Sequence, residues 1–460
     1  MKLILIMKPL YLLAPALLLT QALCAQSTAE KLAEYMDAAY KAKLFNGVVL
    51  ATRNDSILFA KGYGWRDYEH HIQHDTNSLF RIGSLTKSFT AVVILYLQEH
   101  GKLKLTDNLS KYFPEYKNGY KINIKNLLTH TSGITEYSSQ DNFFETIAYK
   151  PYTQKDFWKY IKDEPLEFLP GSEFSYSNSN YFVLGYLIEK VTGKSYEQNV
   201  REIIFNEAGM THSGFDWKNL QSPYKTVGYD VLNDSVQVPS RIADSSAAYA
   251  AGGIYTTAGD LFQFHKALIE NRIISQKSQE EAYTAFEGGY GYGWYVRDWP
   301  QGKYLGHTGG IMGFSSLISR GLQDNSCIVI LSNDYGIKDK PDADLNAIAV
   351  SLLQIYEGSN TVYYIPRVAV KSNPATLPQY TGTYKMDSTA GFTINVAIKD
   401  NQLQAIFNDG QPYIFYEEKK DFFFTKQSNC QLEFERDGNG KITDVLLYFN
   451  KRKVPHPKIK

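Results

Sequence analysis

Phe80-Arg81-Ile82-Gly83-Ser84-Leu85-Thr86-Lys87 opens an apolar run that continues to His100. Gly83 permits a tight turn into a helix. Ser84 then stands at the helix start, where free N–H groups and the helix dipole favour developing negative charge. Lys87 follows three residues later, on the same helix face as Ser84. The run from Ser84 to His100 is apolar nearly all round, which predicts a buried helix. A lysine there is partly desolvated, and desolvation lowers its pKa. A lysine that can give up its proton beside a serine hydroxyl can activate a nucleophile. S-x-x-K alone is a common pattern that an ordinary helix cap and a solvated lysine would satisfy. The apolar run after it is what a solvated lysine leaves unexplained.

Ser27-x-x-Glu30 has the form of a capping box and opens a helix carrying Leu32, Tyr35, Met36 and Tyr40. Val48 to Thr52 and Ile57 to Lys61 read as strands joined at Asn54-Asp55. Tyr181 to Val191 reads as a second buried helix, Thr257-x-x-Asp260 caps a third, and Ile328 to Leu331 is a short apolar strand. Strands at both ends with helices between make an α+β pattern with an inserted helical part. The texture changes at Val362 to Thr376, and six short strands follow between Phe392 and Asn450, separated by turns such as Asp409-Gly410. That spacing predicts a small antiparallel barrel or meander. The basic end, Lys451 to Lys453 with Lys458 and Lys460, reads as a solvated tail.

The expected division is 1–25 signal peptide, 26–360 main unit, 361–375 linker and 376–460 an all-β unit resembling a small barrel or lipocalin. Lys2 and Lys8 precede an apolar stretch from Leu10 to Leu19, and the small Ala25 precedes polar sequence, as in an export signal. A lipid anchor at Cys24 fits less well, because Leu23 is bulky. The apolar stretch is too short for a span of about 20 residues. With 48 basic and 48 acidic residues the chain lacks the basic excess of a nucleic-acid coat. Cys24, Cys327 and Cys430 cannot form a disulfide framework or a four-cysteine zinc site. Cys327 and Cys430 are expected as buried free thiols.

Two further segments carry chemistry. Tyr176-Ser177-Asn178 follows Pro170-Gly171 and precedes the helix from Tyr181. Tyr176 can relay protons if its pKa falls from about 10 toward neutrality, with Lys87 as the cation that draws it down. Asn178 both donates and accepts, so it can bond Lys87 and a substrate amide. In His307-Thr308-Gly309-Gly310, bare glycines let substrate approach the backbone, and the Gly310 N–H could point at an oxyanion. His70, His71 and His74 lie in a polar stretch without a cysteine partner, and no H-E-x-x-H or G-x-S-x-G occurs. Gly289-Tyr290-Gly291-Tyr292-Gly293 reads as a glycine-rich strand near the cleft.

The three segments in this order resemble the serine β-lactamase and penicillin-binding-protein family, whose first motif is S-x-x-K. Leu127-Leu128-Thr129-His130-Thr131-Ser132-Gly133-Ile134, Pro170 to Asn178 and Ala251 to Leu261 resemble further family blocks. Together the likeness spans about residues 30 to 355, and is strongest to the class C-like branch with its D-aminopeptidases, DD-peptidases and esterases. It implies an α/β sandwich with an all-helical subdomain and the site between them. Ser84 would form an acyl-enzyme, Lys87 and Tyr176 would share acid and base work, and Asn178 would orient Lys87 and the substrate. His307, Thr308 and Gly309 would line the substrate site, with the Ser84 and Gly310 N–H groups as oxyanion hole. No metal or cofactor is implied.

The implied activity is exported hydrolysis of an amide or ester: a D-amino-acid peptide or amide, a cell-wall peptide, a β-lactam or a small ester. The partner would be a small molecule or peptide, including one derived from peptidoglycan, with no nucleic acid and no membrane span after signal cleavage. Oligomeric state is left open. A periplasmic or secreted bacterial location follows. Alternatives on the same fold are a penicillin-binding sensor without turnover and an acyltransferase. Lactam-destroying members carry K-T-G where His307-Thr308-Gly309 stands. His307 is mostly neutral at pH 7, so efficient β-lactam hydrolysis is not expected.

Overall fold

A computed structural model describes residues 27–459 apart from 55, 234, 300–301, 336–344, 359–365, 386–391, 409, 427–429 and 450–451. The expected signal peptide with Cys24, and the first part of the expected linker, lie outside the described residues. Ser27 closes the expected capping box on Glu30 and starts α1, Thr28–Lys41. Beside it lies a six-stranded antiparallel sheet. Its strands are β1 Gly47–Arg53, β2 Ser56–Tyr63, β3 Tyr295–Trp299, β4 Gly302–Ile311, β5 Phe314–Gly321 and β6 Ser326–Ser332, in the order β2-β1-β6-β5-β4-β3. The first and last parts of the main unit thus share one sheet, and the helices between are inserted, as the α+β reading expected.

Two-residue alternation sorts the central strands onto two faces. Val49, Ala51, Ile328 and Ile330 pack with Leu32 and Met36 of α1 and with Ile348 and Leu352 of a C-terminal helix, Leu345–Tyr356. Val48, Leu50, Val329 and Leu331 point the other way, into the larger core around α2, Thr86–Glu99. Both faces are covered, so β6 is buried along its whole length. Every residue of α2 from Thr86 to Leu95 is buried, Lys87 included. The helix Asn178–Thr192, α3, lies in the same core and presents Tyr181, Phe182, Leu184 and Leu187 to it.

Eight strands form a separate antiparallel sheet in sequential order: β7 Gly382–Lys385, β8 Thr393–Lys399, β9 Gln402–Ile406, β10 Pro412–Lys419, β11 Phe422–Thr425, β12 Cys430–Arg436, β13 Ile442–Phe449 and β14 Arg452–Pro457. Tyr384 bridges to Lys458, so the first and last strands approach and the sheet is nearly closed. Its interior holds Tyr384, Ile394, Leu403, Phe423 and Leu432. Arg367 pairs with Glu418, and the Val370 N–H bonds Glu417, so this end of the expected linker lies against β10. Cys327 and Cys430 are buried free thiols in separate cores.

Three readings are corrected. Where it is described, the basic end is no solvated tail: Arg452–Pro457 is β14, paired with β13, because β13 would otherwise leave an open edge beside Val445 and Leu447, while Lys451 and Lys460 lie outside the described residues. Gly289–Gly293 is not a strand: Gly291 N–H bonds Trp294 O at 2.7 Å, which folds the segment back and buries Tyr290 and Tyr292. The three histidines are not one polar loop. His74 is buried against Asn333 and Phe80, while His70 pairs with Asp67 at the surface. A chain ending after Phe449 lacks β14. It should be cleaved much faster by a protease between residues 376 and 449, and an unchanged cleavage rate would show that β14 contributes nothing to closure.

Candidate active site

The nucleophile turn is built from sequence upward. Gly83 has φ +49, a left-handed backbone that favours glycine. Gly83–Leu85 forms a single 3-10 turn leading into α2, which leaves Ser84 half-buried at the helix start. β3 stops pairing at Gly306, so beyond that point β4 offers an open edge. The nucleophile turn meets this edge. A methyl group on Gly309 would fall 1.9 Å from Ile82 O, so only glycine fits there. The bare backbone thus lets β4 reach the turn, whereas the sequence reading assigned it to substrate approach.

Lys87 is fully buried. Its Nζ lies 3.0 Å from Ser84 Oγ, 2.8 Å from Asn178 Oδ1 and 2.9 Å from Ala251 O. Burial lowers its pKa to about 7, with Glu136 pulling the other way. About half of such a lysine is neutral at pH 7. Asn178 Oδ1 and Ala251 O can only accept hydrogens. They hold the two hydrogens of the neutral amine and leave its lone pair facing the Ser84 hydroxyl.

Tyr176 lies in the loop before α3, and Asn178 is the first residue of α3. The Lys87 ammonium nitrogen stands 4.9 Å from the Tyr176 ring centroid. The expected drop in the Tyr176 pKa does not occur. Burial pushes its phenol well above the ordinary value, and a hydrogen bond with Ser84 only partly opposes this. Lys87 is too often neutral to supply the cation that the expectation required. Tyr176 therefore keeps its proton in the resting site, and it can take up another only as it passes its own to Lys87.

His130 packs on Tyr176 at 4.3 Å between centroids, and its Nδ1 accepts from the Ser177 N–H at 3.1 Å and from Asn180 Nδ2 at 3.2 Å. It thereby holds the loop that carries Tyr176 and Asn178.

His307 is buried, and burial, with Lys87 nearby, lowers its pKa to about 3. Its Nδ1 donates to Thr308 O at 2.6 Å, so Nε2 accepts from Tyr290 Oη at 2.9 Å. The ring is neutral, as expected, but its polar atoms are already occupied. Thr308 and Gly310 are exposed on the same strand. Ser84, Asn178 and Gly310 line a cavity of about 500 Å³. Its remaining wall is mostly apolar, with Phe143, Phe144 and Tyr149 on one side and Ala247 and Ala248 on the other. Among the described lining residues none is charged. Among the described residues no group of three or more His, Cys, Asp or Glu could hold a metal.

Sequence reasoning missed Ala251 O, His130, Tyr290 and Glu136. His130 and Ala251 sit inside blocks already singled out, and Glu136 follows one of them by two positions.

The Beta-lactamase family model matches residues 29–351, and a model described as a domain of unknown function (DUF3471) matches 366–456. A Bacillus subtilis (strain 168) protein named "Putative penicillin-binding protein PbpX" is 38% identical over 291 residues, 63% of this chain and 71% of that protein. The octameric penicillin-binding protein homologue from Pyrococcus abyssi has a similar structure, with TM-score 0.63 and 23% identity, over 93% of this chain and 99% of that one. The D-stereospecific amidohydrolase from Streptomyces sp. has TM-score 0.58 and 25% identity, over 66% of this chain and 94% of that one. With its S-x-x-K turn, its inserted helices and a family match across most of its length, the chain belongs to the Beta-lactamase family of serine hydrolases and penicillin-binding-protein-like proteins.

Proposed function

We propose that this protein is an exported serine hydrolase that cleaves a neutral amide or ester through an acyl-enzyme on Ser84. The observation that carries the proposal is the buried Lys87 amine 3.0 Å from Ser84 Oγ, with acceptors on its other two sides. The Met1–Ala25 leader supports export to the periplasm or medium. Residues 26–360 carry the chemistry, 361–375 form the linker, and 376–460 form the all-β appendage.

Ser84 Oγ attacks the substrate carbonyl carbon as its proton passes to Lys87 Nζ. The carbonyl oxygen becomes an oxyanion, held by the Ser84 N–H in the turn before α2 and the Gly310 N–H on β4. The C–N or C–O bond then breaks, and the leaving group takes a proton from Tyr176, which Lys87 re-protonates. Water attacks the acyl-enzyme by the reverse proton path and releases the acid. Asn178 keeps Lys87 in register. Thr308, exposed on β4, shapes the substrate edge, Gly309 lets that strand reach the nucleophile turn, and His307 sets the strand from behind by its bond to Tyr290.

The cavity favours uncharged substrates with an apolar acyl part. No cation stands among its described lining residues to offset a carboxylate, and His307 stays neutral. The likeness to a D-stereospecific amidohydrolase supports amides of D-amino acids within this class. β-Lactams and peptides ending in a carboxylate fit less well.

Ser84→Ala should abolish labelling by a fluorophosphonate, and Lys87→Ala should lower kcat by about 10²–10⁴-fold while remaining folded. Wild-type rates in Lys87→Ala would remove Lys87 from the mechanism. Because the neutral amine is the active form, kcat/KM should rise with pH through about 7, where Lys87 loses its proton. A flat profile between pH 6 and 8 would contradict that role. In a panel of phenylalanine amide enantiomers, short esters and nitrocefin, the uncharged substrates should exceed nitrocefin by about tenfold or more in kcat/KM, the scale of one unmatched charge. The reverse order would show that the site recognises a carboxylate. A burst of product without steady turnover would identify a binder in place of a hydrolase.

A further inference from the structure

Asn178 can serve Lys87 only with its oxygen end turned inward. A carboxamide has an oxygen end and an NH₂ end of nearly equal size, so something must choose between them. Glu136 makes that choice. Its Oε2 accepts the Asn178 backbone N–H at 2.5 Å, and its Oε1 lies 3.3 Å from Asn178 Nδ2. A carboxylate only accepts, so the NH₂ end must face Glu136 and Oδ1 must face Lys87. The carboxylate is itself held: Ser138 donates to Oε1 from its N–H at 3.1 Å and from its Oγ at 2.6 Å. This clasp belongs to Glu136 and the 3-10 turn Tyr137–Ser139 that it caps, outside all three motifs.

We propose that Glu136 is a positioning residue for Lys87, acting through the Asn178 carboxamide and through its own negative charge. The proposal rests on the roles given above to Ser84 and Lys87. Among the described groups around Lys87, Glu136 is alone in its sign. Tyr176 and Tyr181 present ring faces, at 4.9 and 5.6 Å from Nζ. His130 and His307 are buried and neutral, and each feels Lys87 as a repelling charge. Ser84, Asn178 and Ala251 contribute no charge. Glu136 is the charge that opposes desolvation of the Lys87 ammonium. It thereby keeps Lys87 able to bind a proton near neutrality and return it to Tyr176 or the leaving group. Without it, the amine would be neutral but too weakly basic to take the Ser84 proton efficiently.

The two contributions separate in two substitutions. Glu136→Gln removes the charge and lets either amide end face Asn178. Glu136→Asp keeps the charge but withdraws the acceptors from Asn178. Each is compared with wild type in kcat and KM against pH on a neutral p-nitrophenyl ester, with thermal melting to establish folding.

In Glu136→Gln the acid limb of kcat/KM should move to lower pH, because a cation that has lost its negative neighbour releases its proton more readily. The plateau kcat should fall about 10–100-fold, the scale of a misplaced catalytic group, with KM within about threefold. In Glu136→Asp the acid limb should stay at the wild-type pH while the plateau falls. An acid limb in Glu136→Gln that coincides with wild type would overturn the charge role. If Glu136→Gln does not fold, Glu136→Asp decides, and a wild-type plateau there would overturn the positioning role. Fluorophosphonate labelling of wild type is mapped in parallel. Absence of label on Ser84 would refute the underlying reading itself, whereas label on Ser84 with unaltered Glu136 variants would refute only this proposal.

Discussion

The burial of one amine among fixed acceptors is the constraint around which the site is organised. Lys87 stands on a helix that is buried on all sides over its first three turns, so its charge has no water to turn to. The fold answers with acceptors from three separate places: the Ser84 hydroxyl on the nucleophile turn, Asn178 at the start of α3, and the Ala251 carbonyl. None of these acceptors carries a formal charge, so the lysine is solvated well enough to remain in place and poorly enough to lose its proton. The tight packing of β4 against the Gly83 turn serves the same end from the other side. It brings the Gly310 backbone next to Ser84, where a side chain at Gly309 would keep it away.

Much of this was legible in the chain itself, and the reasons are specific. A spacing of three residues puts Ser84 and Lys87 on one helix face, and the apolar residues that follow announce that the face is buried. The short apolar runs at Val48–Thr52 and Ile328–Leu331 marked strands that turned out to be covered on both faces. The Ala251 carbonyl was not legible, because a backbone acceptor leaves no mark in residue type. Glu136 was missed for a related reason: a carboxylate in a loop looks like any solvated acid until the fold brings Asn178 over it.

The errors have physical causes as well. Tyr176 was given a lowered pKa because Lys87 was counted as a standing cation, yet the burial that makes Lys87 useful also strips its charge and pushes the phenol upward. The neutrality of His307 could be read from its residue type, but its partnership with Tyr290 could not, since Gly289–Gly293 was taken as extended. The last barrel strand was misread because Arg452–Pro457 contains two prolines and flanking basic residues. At the sheet's edge only one side of the strand needs hydrogen-bond donors, so prolines are tolerated.

These features converge on a site with little net charge at rest: a half-protonated lysine opposed by the Glu136 carboxylate, a protonated tyrosine, an uncharged histidine and a cavity without a charged wall among its described residues. Such a site holds little electrostatic grip on a charged substrate and relies on apolar contact and backbone donors. The measurement that tests this most directly is a ¹³C NMR titration of the Lys87 side chain, with lysine labelled at Cε and the resonance assigned by its loss in Lys87→Arg. The account predicts a midpoint at about 7. A midpoint near the ordinary lysine value of 10.5 would contradict it, because a lysine that stays charged cannot take the Ser84 proton.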